Sequence, residues 1–589
     1  MNSEKNQLRF SDYFWPFSVA LLTGLVFLYV TTLGLFALGI CITGWHLVGF
    51  CIPALTAGWL ACPDKGKGRW KKAVALLLVQ GFMGGLLMLI AGQFDDLSFD
   101  GMNSRIEPII ALSSGWNPIK DPTGATLPVL GEIHPNLQGF VNVAVGCQYT
   151  LSSILSANLA NWSGSLNAGK AIAPLLMLVS FGLAFGALSS LSLPFGWAFP
   201  LSLMATLNPV AIYQSSTYYV DGHVACLFTA MIFNALRLLV VPPDASGVLA
   251  LVVSFLGLSA AKTSGVVYGG IIDVVFLAFY AVTHFKKLKS ILIFLAVSAL
   301  INWPAGMLFR KFGGFTPISL AYLKEATGSG PGFGYGRGAS RLAVLPRLDR
   351  MQIFLVSYFA PTEIVADRVK TKPLFWLTRP ELSVFEDLTP DARAGGLGPL
   401  YGTMLVLSLV AAGTIFVWRG PPLVTLFPIL PVVISLGLTQ IWWARWAPQG
   451  WLLPIGLLLP VVVCLAKEGG RKRRWLPALA VTTALLNSGL ILFFYSVGCI
   501  KAQRVLNSQL AFLKTLPQPL AVHMPLFLSN RTWFLREGIA FQPANEPPTK
   551  PRLRLMKTET LIPLPTNWED NLWNAPMVAE WRKRRLIEE

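Results

Sequence analysis

Three carboxylates, Asp95, Asp96 and Asp100, fall within six residues of the stretch "FDDLSFDG", directly after an apolar run and in a chain where only 13% of residues are charged. Charge beside a bilayer is costly unless it is solvated or used. A clustered set of carboxylates there suits a general base, with Asp100 the first choice, Asp96 the second and Asp95 the third. The plainer alternatives are a solvated loop and an aspartate that complements a helix dipole. Three further stretches carry charge or aromatic rings that could meet a substrate. "YYVDGH" supplies Tyr218, Tyr219 and Asp221; "SAAKTSG" supplies Lys262; "WWARWAPQG" supplies Trp442, Trp443, Arg445 and Gln449. Arg445 among tryptophans can hold a phosphate or stack on rings, and Lys262 can act as a point charge for a phosphate. The competing readings are an interfacial aromatic belt with an anchoring arginine and a snorkelling lysine.

The elements that must position these residues are apolar helices. Mean hydropathy is +0.57, and many apolar runs reach the roughly 20 residues that a helix needs to cross about 30 Å of hydrocarbon. About thirteen spans are expected: 15–38, 42–61, 73–91, 171–191, 195–213, 221–241, 247–264, 266–284, 289–308, 401–418, 422–440, 451–466 and 475–497. The fold class is therefore an all-α integral membrane protein. A transmembrane domain covers 1–497, with outer loops at 92–170 and 309–400. A small extramembrane α+β piece, 498–589, follows it. In that piece 502–516 reads as a helix, and 519–525, 531–536 and 552–557 read as short strands.

Orientation follows from the most basic short links, "PDKGKGRWKK", "FKKLKS" and "KEGGRKRRW". All three fall on one side in this threading, which the positive-inside rule makes cytoplasmic. The acidic loop and the C-terminal piece then face outward. The net charge of +18 belongs largely to such links, so no nucleic-acid partner is expected. The seven cysteines lack metal-ligand spacing and read as small buried hydrophobes. No separable signal peptide is expected, because the first apolar run is too long and lacks a small-residue cleavage pattern. Walker, HExxH and GxSxG motifs are absent from the sequence, so ATP-driven transport by this chain is not expected. From Asn103 a helix "NSRIEPIIALSSG" is expected, capped by Asn103 or Ser104 and stopped at Gly115, with an apolar underside on the membrane surface.

Six segments in order, "DGMNSRIEPIIALSSGWNP", "IHPNLQ", "SGSLNAGKAIAPLL", "NPVAIYQSSTYYVDG", "GGLGPL" and "WWARWAPQGWL", resemble a family of bacterial polytopic membrane glycosyltransferases of the GT-C class. Its patterns are "DGxxYH…AIIxLxxGWNP", a "YPK" loop, "TGxxxxGKAxNLL", "NPVxxxQxxxxYxDG", "GGFGPL" and "WWARYAPQLWL". The resemblance covers about 90–500. The family's Tyr-His pair falls on Ser104 and Arg105, and its Tyr-Pro-Lys is matched only in part around His134.

The resemblance implies a GT-C-like architecture with outer-face surface helices, in a bacterial inner membrane with the active site facing the periplasm. It implies a polyprenyl-phosphate-linked sugar as donor and a glycan, lipid or protein as acceptor. A base would deprotonate the acceptor while cations hold the departing lipid phosphate. Lys262, Arg445 and Lys170 would be those cations; Arg105, His134, Tyr218, Tyr219, Asp221, Trp442, Trp443 and Gln449 would complete the substrate site. A divalent cation, Mg or Mn, is left open, with Asp96 and Asp100 as its ligands if it is present. The alternatives from other classes are a lipid-linked glycan flippase or transporter and a non-enzymatic membrane assembly subunit. A transporter should carry charges at mid-membrane in two related halves, whereas here the charges crowd one face.

Overall fold

The computed structural model describes residues 2–63, 66, 68–121, 150–284, 292–293, 296, 352, 355–363, 371–388, 395–418, 422–438, 444–468, 474–524, 528–544, 546–549, 551–565, 568 and 575–588. His134, Trp442, Trp443 and most of the expected span 289–308 lie outside the described residues. The rest is dominated by apolar helices. Eight described helices are long and apolar enough to cross a membrane: Asp12–Ala37, Gly44–Ala61, Gly68–Gly92, Leu166–Ser190, Asp221–Val240, Ser264–Thr283, Pro448–Lys467 and Trp475–Leu513. Three shorter apolar helices, Ala245–Ala261, Tyr401–Thr414 and Leu423–Gly437, join them. The chain is a helical membrane protein with a small strand-bearing C-terminal domain.

In chain order the helices that matter here are α1 (Asn2–Ala37), α2 (Leu47–Ala61), α3 (Gly68–Gly92), α4 (Ile106–Ser113), α5 (Leu151–Ser163), α6 (Ile172–Ser190), α7 (Phe195–Thr206), α8 (Pro209–Tyr213), α9 (Asp221–Val240), α10 (Ala245–Ala261), α11 (Thr263–Thr283), α12 (Arg379–Glu386), α13 (Tyr401–Trp418), α14 (Ile429–Leu438), α15 (Leu453–Glu468) and α16 (Trp475–Leu513). Helix α9 is the hub: it packs on α6, α10 and α11, and nearly all its side chains are buried. Helix α3 lies at the other extreme. Only 11% of its apolar window is covered, and Leu78, Phe82 and Leu89 stand about seven-tenths exposed, which is the surface a lipid-facing helix presents.

Three expectations need correction. The run 195–213 is not one span but α7 and α8, broken at Asn208, whose side chain caps α8 by accepting from the Val210 N–H. The span 475–497 and the helix 502–516 are one rod, α16, of 39 residues. At 1.5 Å per residue it is about 58 Å long, about twice the hydrocarbon thickness, so about half of it extends beyond the hydrocarbon and carries the tail. Gly498, in the expected break, instead admits a neighbour: a Cβ there would lie 2.2 Å from the Glu386 carbonyl oxygen. The third correction is "RTWFLR". It is not a strand but the helix α17 (Arg531–Glu537), ended by Gly538 in the left-handed region.

The strands of the C-terminal domain are β1 (Leu520–Val522), β2 (Phe541–Pro543), β3 (Arg552–Arg554), β4 (Leu561–Pro563) and β5 (Ile587–Glu588). β1 and β2 pair parallel, with Leu520 opposite Phe541. β3 is central between antiparallel β4 and β5, and an isolated bridge from His523 to Leu561 joins the two sheets. The helix α18 (Ala575–Lys583) completes the domain by burying Trp581 against Phe512 of α16.

Candidate functional site

The acidic stretch begins where α3 ends. Asp95 is buried and fully engaged. It accepts hydrogen bonds from Asn167 Nδ2 at 2.8 Å and Gln503 Nε2 at 2.8 Å, and forms a two-pronged pair with Arg536 at 2.7 and 3.1 Å. Burial alone would raise its carboxyl. The Arg536 guanidinium, Asn167 and the Lys170 charge outweigh that and hold it below the usual carboxylate value of 3.8. Asp96 is also buried. Its Oδ1 accepts from the Ser98 N–H at 2.9 Å and from the Ser98 hydroxyl, and its Oδ2 accepts from the Tyr218 N–H at 2.7 Å. Here burial wins over Lys170 and these donors, and the carboxyl is raised.

Asp100 is different. Its side chain is 34% exposed and pairs with Arg445, Nη1 to Oδ2 at 3.0 Å. It precedes a π turn, Gly101–Arg105, and makes no side-chain cap to it. Short π segments recur at functional sites. Gly101 is needed for the turn's approach to Asp96, because a Cβ there would meet Asp96 Oδ2 at 2.1 Å and Ser98 Oγ at 2.3 Å. The helix proper starts at Ile106 rather than Asn103. Its apolar side does not lie on lipid: Ile106, Ile109, Ala111 and Leu112 pack with Leu33, Phe36, Ile154, Ala157 and Trp116 in a protein core. The expected stop holds, with Gly115 at φ +94°.

Arg445 and Lys262 come to the same place from distant segments. Lys262 is the single extended residue between α10 and α11, and its Nζ donates to Asp221 Oδ1 at 2.6 Å. Trp446 lies beneath both cations, 4.4 Å from Lys262 Nζ and 5.6 Å from the Arg445 guanidinium carbon; the Tyr219 ring lies 5.2 Å from the latter. Tyr219 also accepts a hydrogen bond from the Asp100 N–H at 3.2 Å. The result is two acid–base pairs joined by shared rings, with the Arg105 charge also acting on Asp221. Pairs of this kind over aromatic faces hold their cations in a defined direction.

Three of the six segments singled out in the sequence frame this cluster. Asn208 of the "NPV" segment donates to the Pro448 carbonyl at 2.9 Å, and Trp451 Nε1 donates to the Met204 carbonyl at 2.6 Å. These bonds fix the turn that carries Arg445 and the buried Gln449. Asn167 and Lys170 of the "LNAGK" segment underpin the acidic loop. Lys170 Nζ donates to the Phe94 carbonyl and to Asn167 Oδ1. Lys170 is therefore enclosed beneath the loop beside Asp96, away from the two cations over Trp446. Tyr218 likewise faces inward, its hydroxyl donating to the Leu166 carbonyl. Burial, and then Asp96 and Asp95, push that phenol well above its usual value.

The cluster sits at one end of the bundle, where α3 ends and α15 begins. Helix α3 runs from Gly68 to the acidic loop, and the turn Pro448–Leu452 that carries Gln449 leads into α15, which runs away from the cluster to Glu468. Among the described residues no three His, Cys, Asp or Glu side chains come together as a metal site. Sequence reasoning missed Gln503, Arg531 and Arg536, which hold the acidic loop from the C-terminal domain. No family model matches the chain, and neither a curated protein nor a solved structure is similar to it.

Proposed function

We propose that this chain is an inverting glycosyltransferase that moves a sugar from a polyprenyl-phosphate donor to an envelope glycan, lipid or protein at the outer face of a bacterial inner membrane. In this reading the bundle is GT-C-like with about thirteen spans, and the acidic loop and C-terminal domain face the periplasm. The observation that carries the proposal is the Asp100–Arg445 pair: a carboxylate one-third open to solvent, beside two cations on a shared indole, at one end of an apolar bundle.

The proposed step uses the chain's own residues. Asp100 takes the proton of an acceptor hydroxyl. The acceptor oxygen bonds to the anomeric carbon from the face opposite the phosphate, and the carbon–oxygen bond to the phosphate breaks. The electron pair leaves with the polyprenyl phosphate. Arg445 exchanges its carboxylate partner for a phosphate oxygen, with Lys262 beside it, which stabilises the charge as it develops and frees Asp100 to act as base. The test is incubation of the purified chain in nanodiscs with defined polyprenyl-phosphate sugars and envelope lipid extract. Release of polyprenyl phosphate with inverted configuration in the product is expected. Translocation of a lipid-linked glycan without such release would replace the reading by a transporter.

One observation favours that second reading. Asp273 is buried near the middle of α11, the depth at which transporters place working charge.

A further inference from the structure

The short helix α17 of the C-terminal domain lies against the acidic loop. Arg531 and Arg536 stand near its two ends. Arg531 forks onto Glu107, Nη1 to Oε1 at 2.8 Å and Nη2 to Oε2 at 2.9 Å. Arg536 forks onto Asp95 at 2.7 and 3.1 Å. Asp95 precedes Asp100 in the chain and Glu107 follows it, so the two forks bracket the turn that carries the open carboxylate. Between them the Ser529 hydroxyl donates to the Met102 carbonyl at 2.8 Å, and Leu97 and Met102 insert into the apolar core of the C-terminal domain. The domain has a rigid mount, because α16 is continuous from the membrane to Leu513 and its Gln503 exchanges two hydrogen bonds with Asp95.

We propose that the C-terminal domain is a clamp that sets Asp100 in register with Arg445, with Arg531 and Arg536 as its positioning residues. The physical warrant is the kind of contact. A buried ion pair adds little net stability over an apolar contact of the same size, but a two-pronged guanidinium–carboxylate pair fixes direction and distance. Two such pairs on one helix hold both ends of a turn. A misplacement of about 1 Å in a reacting group costs about 10²-fold in rate. The inference rests on Asp100 acting as the base proposed above, but the clamp itself can be read without any chemistry.

The experiment uses the full chain in nanodiscs. Arg531→Lys and Arg536→Lys keep the charge and lose the fork; the double variant Arg531→Ala/Arg536→Ala removes both contacts. Arg584→Ala, which breaks a pair with Glu580 on α18, is the control. Amide hydrogen exchange is followed at 97–105 and across the bundle helices, and kcat and donor KM are measured alongside. In the lysine variants the turn should exchange roughly tenfold faster while the bundle is unchanged. Their kcat should fall about 10- to 10²-fold, with donor KM within about threefold. Unchanged exchange and kcat in both lysine variants, with only a lower Tm, would make the contacts simple glue and overturn the clamp. If the alanine variant loses bundle protection, the lysine variants decide. If the wild-type chain transfers no sugar, the exchange result still decides the clamp, and it is the reading of Asp100 as base that falls.

Discussion

Asp95 and Asp100 belong to one short loop and have opposite surroundings. Asp95 is closed in by Asn167, Gln503 and Arg536. Asp100 is one-third exposed and pairs with Arg445, a cation that also rests on two rings. A buried carboxylate whose oxygens are all spent has become architecture: removing it leaves other buried groups unpaired, which is a stability cost. A carboxylate that keeps solvent access and a partner able to change allegiance can take a proton. The contrast separates the residues that build the loop from the residue that can use it.

The comparison can be broken most forcefully on the building side. Glu107→Gln should cost about 3–5 kcal/mol of stability, because it strands Arg531 in a buried position; thermal unfolding of the purified chain measures it. An effect below about 1 kcal/mol would mean that the pair is solvated like a surface one. On the chemical side, Arg445→Ala should lower donor turnover about 10²-fold, the scale for losing one donor to a developing anion. Arg445→Lys should recover only part, since an ammonium lacks the planar fork. Full activity of Arg445→Lys would instead support a belt anchor.

Acid should separate the two buried neighbours. The folded-state value of Asp95 is depressed, so its contribution to stability is complete above the usual value of 3.8 and is lost as pH falls through the depressed value. Asp96 is raised, so its protonation on acidification favours the folded chain before that loss begins. Asp95→Asn should therefore flatten the decline in Tm below about pH 4. A decline identical to the wild type would assign acid sensitivity elsewhere. The smallest effect should fall on Asp273→Asn, with sugar transfer within about twofold, since surroundings remote from the reacting atoms contribute little. Loss of transfer there would move the chemistry into the membrane.

Much of this arrangement was legible in the sequence because apolar length and charge type are local properties. The runs near 15–38, 171–191 and 221–241 became helices close to those bounds. Asp100, Lys262 and Arg445 converged because spans of fixed length return the chain to the same face. What was not legible depends on contacts that no local pattern records. Arg536 is 441 residues from Asp95, and nothing in "RTWFLR" marks its partner. That segment alternates well enough for a strand, yet Trp533 and Phe534 are both buried as neighbours on a helix. The gap between the expected span 475–497 and the expected helix 502–516 is continuous helix, and Gly498 within it is a point of close approach. The underside of α4 looked lipid-facing because amphipathicity is blind to whether protein or lipid covers it.

The account stands or falls on Asp100. The most direct measurement is the single-turnover rate of sugar transfer by Asp100→Asn, with bound donor quantified in the same nanodisc sample. The amide keeps the size of the side chain and much of its hydrogen bonding, but it cannot take the acceptor's proton. The account predicts donor occupancy and Tm near wild type and a rate lower by about 10²–10⁴. A rate within about threefold of wild type, at equal donor occupancy, would contradict it.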